Sequence, residues 1–194
     1  MEKQVINLET EILQEHSRHQ ADRIASWIGS DRKRFAALMK LFLKGDWCVT
    51  QRSAWVVSIC ADRHPALIRP HLKAMIKRMQ EEGVHNAVPR NMLRILQNTE
   101  IPRALQGRVA GLCFEHLASA TAPVAVKALS MSVVARIART EPELQRELRL
   151  VIEQQLPFAG AAVRARARHL LRTLGASNTG PVKAGICAPA GKGP

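Results

Sequence analysis

Four basic side chains, Arg52, Arg90, Lys127 and Arg164, recur along the chain at intervals of 38, 37 and 37 residues. Cationic groups repeated at fixed spacing can hold carboxylates or phosphates at regular separation, and a planar guanidinium does so with two parallel hydrogen bonds. Each of the four stands near the start of an apolar, helix-like stretch. Arg94 and Arg168 lie one helical turn beyond Arg90 and Arg164, on the same face. The candidate binding residues are therefore Arg52, Arg90, Arg94, Lys127, Arg164 and Arg168.

No other constellation meets the needs of catalysis or metal binding. His16 with His19, Cys60 with His64 and Cys113 with His116 have helical spacing, but each offers two ligands where zinc takes three or four. Cys60 and Cys113 fall on apolar faces, where a thiol acts as a small hydrophobe. The chain has no glycine-rich phosphate loop, nucleophile elbow or His-Glu-x-x-His pair. Its carboxylates are mostly glutamates on polar helix faces, such as Glu81, Glu82, Glu141, Glu143 and Glu147, with no base or nucleophile paired to them by spacing. No catalytic residue, metal or cofactor is expected. Trp27, Trp47 and Trp55 are expected in the core or between repeats, because a chain with no tyrosine and 4 phenylalanines has few of the stacking platforms that single-strand binders use.

The elements that must position these cations read as helices. Leu67, Ile68, Leu72, Met75, Ile76 and Met79 form one face at helical period, with Arg69, Lys73 and Lys77 on another. The same period runs through Leu105 to Leu117, Val126 to Ile137, Leu144 to Leu156 and Val163 to Leu174. No segment alternates as a strand would. Ser30 and Asp31 can cap a helix that Gly45 closes. Pro65, Pro102 and Pro142 fall at helix starts in step with the basic residues, where a missing N–H costs nothing. Hairpins are thus expected at about 31–62, 67–98, 102–139 and 142–174, behind a leading helix near 8–28. Three parts follow: a capping helix over 1–29, a repeat array over 30–175, and a disordered tail over 176–194, which is rich in Ala, Gly and Pro and carries Lys183 and Lys192.

Composition narrows the setting. The chain has 194 residues and a formal charge of +13. Residues 30–80 carry 11 Lys and Arg against 3 Asp and Glu, and residues 160–194 carry 6 against none. Such blocks favour an anionic partner or a solvated surface. Scattered cysteines, no signal-like start and no apolar run of membrane-spanning length lead to the expectation of a cytoplasmic protein with no membrane partner.

The stretches Gln51-Arg52-Ser53-Ala54, Pro89-Arg90-Asn91-Met92, Val126-Lys127-Ala128-Leu129 and Val163-Arg164-Ala165-Arg166 resemble the Val-Arg-type opening of the second helix in HEAT repeats. The resemblance covers residues 30–174. It implies an all-α, right-handed, armadillo-like α-solenoid of about four HEAT-like hairpins, with the second helices lining a concave face. In that family an aspartate about six residues before the basic residue helps tie repeats together. Asp46 has this place for Arg52, whereas Val84, Thr121 and Phe158 stand at the other equivalents. Arg52 is therefore expected to pair with Asp46, leaving Arg90, Lys127 and Arg164 for a partner. The family's usual role implies a non-catalytic scaffold that recognises a protein through the concave face. The alternative is a nucleic-acid backbone binder, distantly similar in architecture to alkylpurine DNA glycosylases, with Asp46 beside Trp47, or Asp62, as the only candidate carboxylates.

Overall fold

The computed structural model describes residues 7–81 and 83–176, which form ten α-helices and no strand. The helices are α1 (Leu8–Gln14), α2 (Arg18–Ile28), α3 (Arg32–Lys44), α4 (Trp47–Arg63), α5 (Leu72–Met79), α6 (Ala87–Leu96), α7 (Arg103–Ala118), α8 (Val124–Ile137), α9 (Pro142–Gln155) and α10 (Ala161–Ala176). Beyond Ala176, the tail expected at the C-terminus lies outside the described residues.

The leading segment is two helices rather than one. Ser17 is extended (φ −124°, ψ 160°) and its hydroxyl accepts the Gln20 N–H at 3.1 Å, so a new helix starts at Arg18. A serine that can bond a backbone N–H nearby competes with helix continuation, and here it wins. The Gln20 side chain then reaches back to the Glu11 carbonyl at 2.7 Å and fastens α2 to α1. At the other end of α2, Gly29 takes φ 51°, a conformation that only glycine adopts at low cost.

Asp31 caps α3 by accepting from the N–H groups of Lys33 and Arg34, and Gly45 closes it. Pro142 opens α9, while Pro102 and Pro123 sit one residue outside α7 and α8 as extended residues. One expected helix starts late. Pro65 and Pro70 each open a single 3₁₀ turn, Pro65–Leu67 and Arg69–His71, and α5 begins only at Leu72. Pro70 has no N–H for the helical ladder and disfavours helical geometry at Arg69. The apolar face from Leu67 to Met79 is nonetheless buried along its whole length.

Two layers result. In the inner layer α2, α4, α6, α8 and α10 each pack on the next, and in the outer layer α3, α5 and α7 do the same. The seam between them is apolar: Phe35, Leu38, Met39 and Phe42 of α3, Met75 of α5, Met92 and Leu93 of α6, and Val133 and Val134 of α8 are all 0–1% exposed. Each such side chain contributes about 1.5–3 kcal/mol by leaving water.

Hydrogen bonds also tie successive pairs at their helix ends. Arg52 Nη1 donates to the Leu13 carbonyl at 2.6 Å, Arg136 Nη1 to the Gln97 carbonyl at 2.8 Å, and Gln155 Nε2 to the Leu117 carbonyl at 2.5 Å. Each acceptor lies at the end of a helix one pair earlier, where carbonyls have no partner within the helix. Donor and acceptor are 39, 39 and 38 residues apart, so these struts share the repeat period. Among the described residues, no helix is long and apolar enough to cross a membrane.

Candidate binding face

The inner layer presents three clefts. Two adjoining ones of about 190 and 290 Å³ lie between α2, α4 and α6, and a third of about 320 Å³ spans α6, α8 and α10. Arg18, Arg63, Arg90 and Arg94 line the first two, and Arg136, Arg139 and Arg166 the third. Among the residues lining the three clefts the carboxylate is that of Asp62, in the first. Gln51, Asn91, Gln97, Asn98 and Gln145 supply amide groups between the arginines.

The six residues expected from spacing divide sharply. Arg90 and Arg94 line the clefts, and their guanidinium groups make no hydrogen bond or ion pair with another described residue. Arg52 is spent on the Leu13 strut. Its expected pairing with Asp46 is not formed, because the Asp46 carboxylate caps α4, accepting the Val49 N–H at 2.8 Å. Lys127 is half-buried, Arg164 and Arg168 are exposed, and none of these three lines a cleft.

The cause is a one-residue slip in register. Gln51 and Arg90 occupy equivalent places on the clefts and stand 39 residues apart, the interval of the struts. Arg52 is one residue further on, about 100° around the helix, and so faces α1. Arg18, Arg63, Arg136, Arg139 and Arg166 border the clefts from positions outside the repeated spacing. Arg63, Arg136 and Arg139 share a legible signal, since they follow the repeated cations Arg52 and Lys127 by about three helical turns.

Asp22 organises the first cleft. It accepts from Arg18 Nε at 2.7 Å and from Arg63 Nη2 at 2.6 Å, joining α2 to α4. The Arg18 hydrogen bond does most to hold the Asp22 carboxyl below its ordinary value; desolvation, the next effect in size, opposes it, and the charges of Arg18 and Arg63 and the Arg63 hydrogen bond add to the lowering. Trp55 is half-buried on the wall of both adjoining clefts, its ring 5.3 Å from that of His16. Trp27 packs on the core beneath the Arg34 guanidinium, 4.4 Å from the ring centroid. Trp47 departs from the expected burial: it is 57% exposed, against His85.

The other chemistry-bearing groups are structural. Burial pushes the thiols of Cys60 and Cys113 up to about 12, so neither is a thiolate near neutral pH. Among the described residues, no three His, Cys, Asp or Glu side chains gather where one metal ion could sit. Asp62 lies exposed at the edge of the first cleft with arginines around it.

Two stacked layers of paired helices with a period near 39 match what the sequence comparison finds: residues 8–174 fit the HEAT repeat domain family. The chain belongs to that family. No curated protein and no solved structure matches it. The HEAT span begins at Leu8, so α1 and α2 lie inside it. HEAT repeats commonly mediate protein interactions.

Proposed function

We propose that this HEAT repeat chain is a non-catalytic scaffold whose inner layer takes a carboxylate-rich segment of a protein partner. The observation that carries the reading is the charge of the clefts: seven arginines, of which Arg18 and Arg63 pair with Asp22, and Asp62 as the carboxylate among the lining residues. Arginine forks suit carboxylates, and the interleaved Asn and Gln amides suit the backbone of an extended peptide. Stacking surface is sparse there, with Trp55 half-buried. Arg90 and Arg94, which no described residue neutralises, are the anchors.

The test is recovery of partners from a lysate on the immobilised chain, before and after nuclease treatment, with Arg90→Glu/Arg94→Glu as control. Partners that survive nuclease and are lost with the charge reversal support the reading. If every partner disappears with nuclease, it fails. The continuity of the arginine strip from α2 to α10 favours a second reading, binding of a nucleic-acid backbone. That reading expects labelled duplex or single-stranded DNA to bind with an affinity that falls steeply with salt. Absence of binding, or a flat salt dependence, would sink it.

A further inference from the structure

On the outer layer a groove of about 540 Å³ opens between α7 and the first half of α9. It lies where α7 and α9, joined by the Gln155 hydrogen bond to the Leu117 carbonyl near their C-terminal ends, otherwise pack less closely than α3 on α5 or α5 on α7. Phe114, Ile137 and Leu144 form its apolar walls, with more apolar than polar surface overall. The floor follows one face of α7 from Arg103 to Phe114, three helical turns or roughly 16 Å.

Two residues of that floor are hard to explain from the chain alone. Gly107 and Gly111 lie inside α7, where glycine costs about 1 kcal/mol relative to alanine. A Cβ added at either would meet nothing within 4 Å, so packing within the chain does not require them. What they provide is room for another backbone to come close. The rim has a definite charge as well. Glu141, Glu143 and Glu147 stand against Arg103, an acidic patch on a chain of net charge +13. Arg103 reaches Glu141 at 3.8 Å and Arg146 reaches Glu143 at 2.7 Å, while Glu147 has no partner among the described residues.

We infer that this groove docks a basic amphipathic helix of another protein. Its apolar stripe lies on Phe114, Ile137 and Leu144, its backbone crosses Gly107 and Gly111, and its lysines or arginines meet Glu141, Glu143 and Glu147. The length and the glycine floor fit a helix, which buries an i, i+3, i+4 stripe in such a groove. The acidic rim selects a cationic one. This face is on the other layer from the arginine clefts and does not depend on how they are used.

The experiment titrates the full chain into a fluorescein-labelled amphipathic peptide of Leu and Lys, about 18 residues long, and reads anisotropy. Saturable binding is expected, weakened about tenfold or more by Gly111→Leu and by Glu147→Lys and left unchanged by Arg94→Glu. A scrambled peptide of the same composition is expected to bind no tighter than those variants. Because the Gly111 Cβ direction is open, Gly111→Leu keeps the helical spectrum, and Gly107→Ala and Gly111→Ala raise the thermal midpoint. The inference is overturned if binding is absent, if it is insensitive to both groove variants, or if a Leu and Glu peptide binds equally well. Concentration-dependent dimerisation of the chain that disappears in Gly111→Leu would assign the groove to a second copy and overturn it equally.

Discussion

Replacing Arg52 by methionine separates the structural role seen for this residue from the binding role its spacing implies. Methionine keeps most of the aliphatic stem and removes the guanidinium that bonds the Leu13 carbonyl at 2.6 Å. A hydrogen bond to a charged donor contributes about 1.5–3 kcal/mol when shielded from water. This bond is solvent-exposed, so roughly 1 kcal/mol is the expected loss once screening is allowed for. Arg52 also places a cation against the C-terminal end of α1, a favourable interaction of a few tenths of a kcal/mol at an exposed site. For a chain of this length the thermal midpoint should fall by about 2–4 °C. The loss should be local. Amide hydrogen exchange in α1 should quicken about fivefold, which is what roughly 1 kcal/mol means for a local opening equilibrium. Exchange in α7 and α8 should stay as it was. Partner binding to the inner layer should be unchanged, whereas Arg94→Met should weaken binding and leave α1 exchange alone. If Arg52→Met weakened partner binding without loosening α1, the assignment of Arg52 as a strut would be wrong.

Further expectations concern packing, acid stability and thiol reactivity. Gly45→Ala should destabilise by about 1–3 kcal/mol in urea unfolding, because the added Cβ would stand 2.6 Å from both the Leu41 carbonyl oxygen and Val49 Cγ1. Asp22→Asn should lower stability near neutral pH, and its deficit relative to the parent should shrink on acidification. The sign follows from the depressed Asp22 carboxyl: its contribution is complete above the ordinary value of 3.8 and is lost as pH falls through the lower folded value, so unfolding curves measured from pH 7 downward should converge below 3.8. Cys60 and Cys113, with thiols pushed up to about 12, should resist a thiol reagent at pH 8 in the native state and react once urea unfolds the chain. Rapid native labelling of either would refute the burial argument.

The period, the helical class and the apolar faces were legible in the sequence because each rests on local regularity. The apolar faces from Leu67 to Met79 and from Val126 to Ile137 are buried as their spacing implies, with Leu129 partly so. What escaped was competition between neighbours. Nothing in the apolar period distinguishes one helix over 8–28 from two, since the break depends on a single serine hydroxyl capping Gln20. Pro70 shortens α5 although the apolar face continues through it. The cleft-lining positions run one residue out of step with the repeated cations, and in a helix one residue is enough to turn Arg52 away from the clefts that hold Arg90. Arg136 illustrates the remainder. It lies two turns beyond Lys127, and only the stacking of α6 on α8 shows that its guanidinium closes α6 while its length borders a cleft.

The placement of the three tryptophans has an optical consequence. Trp27 lies in α2 and Trp47 and Trp55 in α4, and the chain has no tyrosine. Intrinsic fluorescence therefore watches only the N-terminal end of the stack, while far-ultraviolet circular dichroism sums over every helix. In an array whose units contact only their neighbours, the two ends need not melt together. Comparing the two signals during denaturation turns this uneven distribution of chromophores into a built-in probe of how far order propagates along the stack. Coincident transitions would mean that the inter-pair struts and the shared core couple all ten helices, and an early or late fluorescence change would locate the weaker end.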